Sequence, residues 1–343
     1  MSVKGVQITD PTPSPGIFTI ATGNTLTLGN GGINMSAASQ NLVVNANLAL
    51  SDNQSWQVNT RSLQIGNNSA ISQNGFLANV SGNGTFDWRS TTATTFDGLI
   101  SITTLRVNAV AAVFTLGNNS NSFSALFVDA GKVRASTIGN FGSTSAVGTG
   151  GISSNITLGG NSQNGTFEYT GNTSSTNRTF SRDARSATSG INVSTAGQTL
   201  TISGNMGSGS QNGTLTNGWV FGGAGNLTLS GNITNSTGAS TTGTTLTKND
   251  GGTLTLSGSS KAYTGATTVT AGTLLISGGG LTATSGLSVS GGALELGAAN
   301  VLNNTATLTL SGGTFKTGGF AETLGTLTLT NSTASFLDFG SGT

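Results

Sequence analysis

The side chains that carry most enzyme chemistry are few and widely spaced in this sequence. Its 343 residues include 11 acidic residues and no histidine or cysteine. Asp87 and Asp97 lie near Arg89 in one short stretch. Paired carboxylates act as acid and base in glycoside hydrolysis, and they also bind Ca²⁺. A separation of 10 residues suggests opposite ends of a turn, so a structural ion pair or a solvated loop is the better interpretation.

A second acidic pair, Glu168 and Asp183, flanks a cluster of arginines at residues 178–185. Here too, a structural ion pair or a solvated loop is favoured over a catalytic pair. Without histidine, a metal site would have to use carboxylates alone. We therefore predict no catalytic residue, no metal site and no cofactor.

Basic and aromatic side chains are the remaining candidates for contact with a ligand. Arg178, Arg182 and Arg185 form either an ordinary solvated loop or a binding patch. Trp88 and Trp219 would provide platforms for stacking against sugars if their rings are exposed. These five residues are the predicted ligand contacts.

The overall composition excludes several classes of function. Charged residues make up 7% of the chain and the formal net charge is +1, so the basic face that nucleic-acid binding needs is missing. The apolar fraction of 34% is patterned, which argues against disorder. No apolar run is long enough to predict a transmembrane segment. Residues 1–16 lack the apolar core of a signal peptide, so an exported protein would contain this chain as a processed or excised piece.

Residues 251–277, GGTLTLSGSSKAYTGATTVTAGTLLIS, show how the chain builds its elements. Leucines alternate with threonines, and Ser-Gly and Ala-Gly pairs separate the runs. Alternation of this kind predicts short strands with one apolar face. The side chains predicted to point inward are Leu254, Leu256, Val269, Leu274 and Ile276, and those predicted to point outward are Thr253, Thr255 and Thr273.

The same pattern occurs elsewhere in the chain. With one gap, residues 114–136 match residues 254–277, including the pairs Phe123 with Tyr263 and Gly131 with Gly272. Coils that stack like upon like disfavour charge, because equal charges would repeat about every 4.8 Å along a ladder. We therefore predict an all-β, right-handed parallel β-helix (β-solenoid) rather than a sandwich or barrel. At roughly 20–25 residues per coil, it would contain about 14–17 coils.

The two ends of the chain differ in character. Residues 1–22 contain three prolines, which block strand pairing, and are predicted to form an N-terminal cap or entry segment to a solenoid of residues 23–343. Near the other end, Phe336, Leu337 and Phe339 follow a well-patterned strand and have little sequence after them. We predict an open edge there, through which chains associate.

Residues 251–277 resemble the passenger-associated repeat of autotransporters, also called the autotransporter-associated β-strand repeat. The resemblance rests on the Gly-Thr-Leu-Thr-Leu-Ser-Gly opening, on Tyr263-Thr264-Gly265 and on Ala271-Gly272-Thr273-Leu274. Residues 32–50, 55–66, 165–180 and 322–343 are similar to segments that flank this repeat in large secreted bacterial proteins. The resemblance implies an exported rod whose family serves adhesion, aggregation or surface display.

Together these observations predict a non-catalytic structural or adhesive protein that is secreted or lies on the surface of a Gram-negative-type bacterium. Its expected partners are other surface proteins, glycans, or copies of itself that join end to end into a filament. The alternative is a β-helix protein that binds or degrades polysaccharide. An enzyme of that kind would need a groove in which several carboxylates meet.

Overall fold

The protein is described by a computed structural model of residues 1–9, 16–151, 156–160, 162–183, 188–208, 218–235, 243–258, 261–330 and 334–340. It divides into two compact units, Met1–Thr157 and Leu158–Thr343. All regular secondary structure in the described residues is β-strand. The prediction of an all-β protein is therefore confirmed.

The strands of the first unit are short, except for three strands of 10, 13 and 11 residues. In chain order they are β1 (Ser2–Gln7), β2 (Ile17–Ile20), β3 (Leu26–Met35), β4 (Asn41–Val44), β5 (Leu48–Leu50), β6 (Gln54–Val58), β7 (Ser62–Ile65), β8 (Ile71–Ser72), β9 (Ala78–Ser81), β10 (Thr85–Trp88), β11 (Thr94–Phe96), β12 (Ile100–Ser101), β13 (Thr104–Leu116) and β14 (Ala125–Ala135). One sheet stacks β1, β3, β6, β9 and β12, with β5 and β8 beside them. A second sheet stacks β2, β4, β7, β10 and the first parts of β13 and β14. The later parts of β13 and β14 pair on a third side, where β11 joins them.

The remaining strands belong to the second unit, although β15 begins in the first. They are β15 (Ile156–Leu158), β16 (Gly165–Tyr169), β17 (Ser174–Thr176), β18 (Phe180–Arg182), β19 (Thr188–Val193), β20 (Thr199–Ile202), β21 (Met206–Ser208), β22 (Gly218–Gly222), β23 (Asn226–Leu229), β24 (Thr245–Lys248), β25 (Thr253–Leu256), β26 (Thr267–Val269), β27 (Thr273–Ile276), β28 (Gly286–Val289), β29 (Ala293–Leu296), β30 (Thr307–Leu310), β31 (Thr314–Lys316), β32 (Thr326–Leu329) and β33 (Phe336–Asp338). The even strands β22 to β32 stack on β16 and β19 in one sheet. The odd strands β23 to β33 stack on β17 and β20 in a second sheet.

The pairing makes each unit a parallel β-solenoid, as the sequence predicts. Together the units contain about 13 turns, slightly fewer than expected. The reason is uneven coil length. Stacked partners lie 19 residues apart at Thr85 and Thr104, but 30 residues apart at Gly190 and Val220. The right hand of the coil and the capping role of residues 1–22 stay predictions, and the three prolines of that segment lie outside the described residues.

Side-chain direction follows the alternation in the sequence. Leu254, Leu256, Val269, Leu274 and Ile276 are each at most 1% exposed, which confirms that they point inward. The intervening threonines of β25 and β27 are half-buried on the outer side. Leu254 stacks on Leu227 of the preceding coil and beneath Leu274 of the next, so each ladder is aliphatic from coil to coil.

Asparagine side chains join successive coils where strand pairing stops. The Asn47 side-chain carbonyl accepts a hydrogen bond from the Ala70 N–H at 2.9 Å, and Asn226 accepts one from the Thr253 N–H at 3.0 Å. The amide thus continues the ladder around a corner at which the backbone turns away. Equivalent bonds are made by Asn41, Asn53, Asn79, Asn164, Asn205 and Asn235.

Two glycines lie at similar turns in residues 114–136 and 254–277. Gly131 has φ of +76° and Gly272 has φ of +65°, a region that side chains rarely adopt. A Cβ on Gly131 would lie 1.9 Å from the carbonyl oxygen of Ala109, and one on Gly272 would lie 2.3 Å from that of Asp250. The Ala-Gly pair therefore marks a turn at which the preceding coil passes too closely for any side chain.

This arrangement predicts that the same substitution at two adjacent positions changes the stability of the protein by very different amounts. Leu256→Asp would bury an unpaired carboxylate among stacked aliphatic side chains and should lower the free energy of unfolding by about 3–5 kcal/mol. Thr255→Asp places the same group on the outer side and should change the free energy by no more than about 0.5 kcal/mol. Denaturant unfolding measures both, and equal stability of the two variants would contradict the facing of β25.

Candidate functional surfaces

The first acidic pair does not come together in the structure. Asp87 is 5% exposed, and its Oδ2 accepts hydrogen bonds from Arg89 Nε at 2.9 Å and Nη2 at 2.8 Å. Asp97 is exposed, and its backbone N–H donates to the side-chain carbonyl of Gln73. The structural ion pair predicted for Asp87 is thus confirmed, and Asp97 is bonded elsewhere.

The second acidic pair is also part of the coil. Glu168 lies buried on β16, and the half-buried Asp183 donates its N–H to the carbonyl of Leu158 at 2.9 Å. Within the described ranges, no three or more acidic side chains gather as a metal ion would need. The carboxylates of this part of the chain are therefore dispersed along the coils.

The arginine cluster is placed differently from either interpretation of the sequence. Arg178 is 2% exposed and Arg182 is fully buried, so they form neither a solvated loop nor an exposed patch. Burial lowers the pKa of both guanidinium groups. The guanidinium carbon of Arg182 lies 5.9 Å from the ring centre of Trp219, within the range of a cation–π interaction. Arg185 lies outside the described residues.

The two candidate tryptophans are core residues. Trp88 and Trp219 are both fully buried. The Trp88 ring centre lies 4.9 Å from that of Phe114, and Trp219 is stacked on Phe221 at 6.1 Å. The sequence predicted that these tryptophans stack against sugars only if their rings are exposed. Neither ring faces solvent, so neither can make that contact in this structure. The alternating pattern around each residue was the signal for a core position.

Two lysines occupy inward positions that the sequence analysis did not single out. Lys248 lies in the ladder between Phe221 and Val269, where its stem replaces an apolar side chain. Its ammonium group is 2.7 Å from the carbonyl oxygen of Asp250 and 3.3 Å from that of Ala271, and it also donates to the carbonyl of Asn249. The buried amine thus satisfies carbonyls of two successive corners.

Lys261 has the same role on the third side of the coil. It pairs with Ile233 in an isolated parallel bridge and is fully buried. Its Nζ donates to the carbonyls of Gly231 and Ser257, each at 2.8 Å. Burial lowers the pKa of Lys248 and of Lys261 to about 8. The sequence Thr-Leu-Thr-Lys at residues 245–248 contained the signal that Lys248 points inward, because the lysine stands two residues after the inward Leu246.

The Tyr-Thr-Gly motif is also explained by packing. Tyr263 is 1% exposed, and its hydroxyl lies 2.7 Å from Thr267 Oγ1, which is 3.2 Å from Thr284 Oγ1. Thr284 donates to the carbonyl of Gly265 at 2.8 Å, which links the motif to the next coil. Burial raises the pKa of Tyr263. A Cβ on Gly265 would lie 2.3 Å from the carbonyl oxygen of Thr244, so glycine is required there.

The family model Passenger-associated-transport-repeat matches residues 246–276. The chain contains a passenger-associated-transport repeat. This repeat runs from β24 through β27 and includes both buried lysines and the Tyr-Thr-Gly motif. With the β-solenoid fold, it fits an autotransporter passenger-like repeat protein. No curated protein and no solved structure matched the chain. In the described residues no helix has the length and apolar character to cross a membrane.

Two surfaces of the second unit stand out once the buried residues are set aside. One is the outer side of β24, β26, β28, β30 and β32, which we call the hydroxyl face, because serine and threonine occupy its central row. The other is the edge formed by β32 and β33. There Leu329, Phe336 and Phe339 are 59%, 62% and 66% exposed, beside an apolar cavity of about 500 Å³.

The buried lysines predict a pH dependence of stability. The pKa of Lys248 is about 8 in the folded protein and 10.5 in the absence of burial, so the unfolded chain binds more protons between these values. The free energy of unfolding should therefore rise with pH across this window. Lys248→Met should remove a share of that rise on the order of 1–3 kcal/mol.

Denaturant unfolding at several pH values from pH 7 to above pH 10.5 measures how the free energy of unfolding changes with pH. Lys316→Met is the matched control, because Lys316 is an outward lysine whose only described ion pair, with Glu295, spans 3.9 Å. If the parent, Lys248→Met and Lys316→Met share one slope, the buried amine carries no linkage to folding.

Proposed function

We propose that this chain is a non-catalytic, exported β-solenoid that acts as a structural or adhesive protein on, or around, a Gram-negative-type bacterium. The passenger-associated-transport repeat supports export and a place at the cell surface or in the extracellular matrix. The proposal does not require the chain to be the whole protein.

The single observation that carries the proposal is the division between inside and outside. The tryptophans, two of the clustered arginines and two lysines lie inside the coils as packing and hydrogen-bonding groups. The outer sides of the strands carry mainly hydroxyl and amide groups that repeat from coil to coil. A surface of this kind suits many weak, equivalent contacts, whose combined strength grows with the number engaged. We propose glycans and other surface proteins as the partners.

Multivalent binding is testable with beads that carry the purified chain at graded density. Binding of the beads to films of neutral polysaccharide and to bacterial envelopes should rise more steeply than the density of coupled chain. The free chain should compete poorly, because one copy engages too few contacts at once. Fluorescence of retained beads after washing is the measurement, and beads carrying an unrelated protein of similar net charge are the control.

Two outcomes would contradict this function. One is saturable binding of a soluble sugar by a single chain at one-to-one stoichiometry. The other is release of reducing or unsaturated sugars from the films, lost in Asp87→Asn with Asp97→Asn or in Glu168→Gln with Asp183→Asn. The second outcome would establish the alternative, a polysaccharide-degrading β-helix enzyme.

Self-association is a second candidate function, favoured by the edge of β32 and β33. β33 pairs with β31 on one side, and the outer side of Phe336 and Phe339 is apolar and exposed. Exposed strand edges with apolar side chains recruit further strands. We propose that copies of the chain associate through Phe336, Leu337 and Phe339.

The edge proposal predicts concentration-dependent assembly in light scattering. Phe336→Lys with Leu329→Lys should abolish the rise in average mass, because each lysine places a charge beside the incoming strand. Thr330→Lys adds the same charge at an exposed polar position of the same edge and should weaken assembly less. A parent chain that stays monomeric at every concentration would rule out this route.

A further inference from the structure

The sheet of the odd strands β23 to β33 ends in a ladder of alternating charge on its outer side. Glu295 of β29 lies in register with Lys316 of β31, and Lys316 lies in register with Asp338 of β33. The Lys316 ammonium group is 3.9 Å from a carboxylate oxygen of Glu295. Each charge therefore lies next to one of opposite sign, which stabilises strands that are stacked about 4.8 Å apart.

Asp338 is the last member of this ladder. It is exposed, and its Oδ1 accepts a hydrogen bond from the Gly340 N–H at 2.9 Å. Leu337 stacks on the buried Phe315 and therefore points inward, opposite to Asp338. Among the described strands, β33 pairs with β31 alone, so its other edge can accept a further strand. A positive charge on that strand would continue the alternation beside Asp338.

Strand β1 has the residues that this edge requires. Among the described strands it pairs with β3 alone, so it too has one edge without a partner. Val3 lies in register with the fully buried Leu28 and points inward, which places the next residue, Lys4, on the outer side. Lys4 is exposed, and its ammonium group has no hydrogen bond or ion pair with any described residue.

Charge selects one register for β1 beside β33. Inward residues must meet inward residues, because a shift by one position would turn the apolar side chains outward. Leu337 can therefore meet either of the two inward valines of β1, Val3 or Val6. If it meets Val3, Asp338 lies beside Lys4. If it meets Val6, Asp338 lies beside an uncharged residue, so the first register is favoured.

We propose that β1 of a second copy of the chain binds the open edge of β33 as a parallel strand, with Lys4 beside Asp338. This inference rests on the self-association proposed above and names the surface that the edge recognises. The new ladder supplies backbone hydrogen bonds, and Val3 covers part of Leu337, which is 37% exposed. The ion pair fixes the register more than it adds affinity.

The two surfaces in this contact are different, and this sets how assembly proceeds. Each added copy offers a new β33 edge, so a contact of this kind does not stop at a dimer unless it closes into a ring. The competing arrangement joins two copies of β33. That contact is isologous, stops at a dimer and does not involve Lys4.

Reversal of the two charges tests the proposal by light scattering. Lys4→Glu and Asp338→Lys each place like charges side by side, and each should raise the concentration needed for assembly by roughly three- to ten-fold. Arg61→Glu is the matched control for Lys4→Glu. It makes the same change of charge at an exposed turn and should leave assembly unchanged.

Recovery of assembly separates a contact between chains from a fault within one chain. The variant with both reversals, and an equal mixture of the two single variants, should assemble far better than either single variant, because opposite charges meet again. A loss that Asp338→Lys causes within its own sheet, beside Lys316, would instead persist in both samples.

Three results would overturn this inference and leave the proposed self-association standing. They are an average mass that stops at that of a dimer, Lys4→Glu assembling like the parent, and a loss in the single variants that neither the double variant nor the mixture reverses. In each case the parent still assembles, but β1 is not the partner of β33. A parent chain that stays monomeric at every concentration would overturn both proposals.

Discussion

In-register stacking of parallel strands is the constraint on which this protein depends. Each inward residue lies on its counterpart one coil earlier, so the character of a ladder is repeated about every 4.8 Å. Aliphatic ladders gain from this repetition because each coil buries the apolar surface of the last. Like charges in the same positions would repel, and the chain accordingly contains few. Where charges do stack, they alternate in sign, as in Glu295 and Lys316.

The interior is not wholly apolar, and three of its polar groups share one feature. The Lys248 and Lys261 ammonium groups and the Thr284 hydroxyl all bond to backbone carbonyls at corners, where strand pairing cannot satisfy them. A buried polar group is costly unless it is hydrogen-bonded, and these groups meet that condition. The passenger-associated-transport repeat is therefore defined by its corners as much as by its strands. Its glycines mark places where the preceding coil passes closely.

Because the candidate tryptophans and two of the clustered arginines are buried, the function that we propose rests on the outer surface. Trp88, Trp219 and Arg182 contribute to cohesion between coils rather than to a pocket. The partners that we propose would meet either many equivalent groups on this surface or the exposed apolar edge. The hydroxyl face and the edge of β32 and β33 differ in this respect. The first is polar and regular along the stacking direction, and the second is apolar and confined to one coil.

Much of this protein was determined by local sequence. The alternation of Leu254 and Leu256 with threonines predicted strands and their facing, and the low charge predicted stacked parallel coils, because both depend only on period and repetition. The burial of Arg178, Arg182 and Trp219, by contrast, was decided by the tertiary structure. A residue in a loop-like or alternating stretch becomes buried only when a particular neighbour in the next coil covers it. The same holds for the hydroxyl face, because the register that aligns Thr247 with Thr268 and Thr309 depends on the uneven lengths of the coils between them.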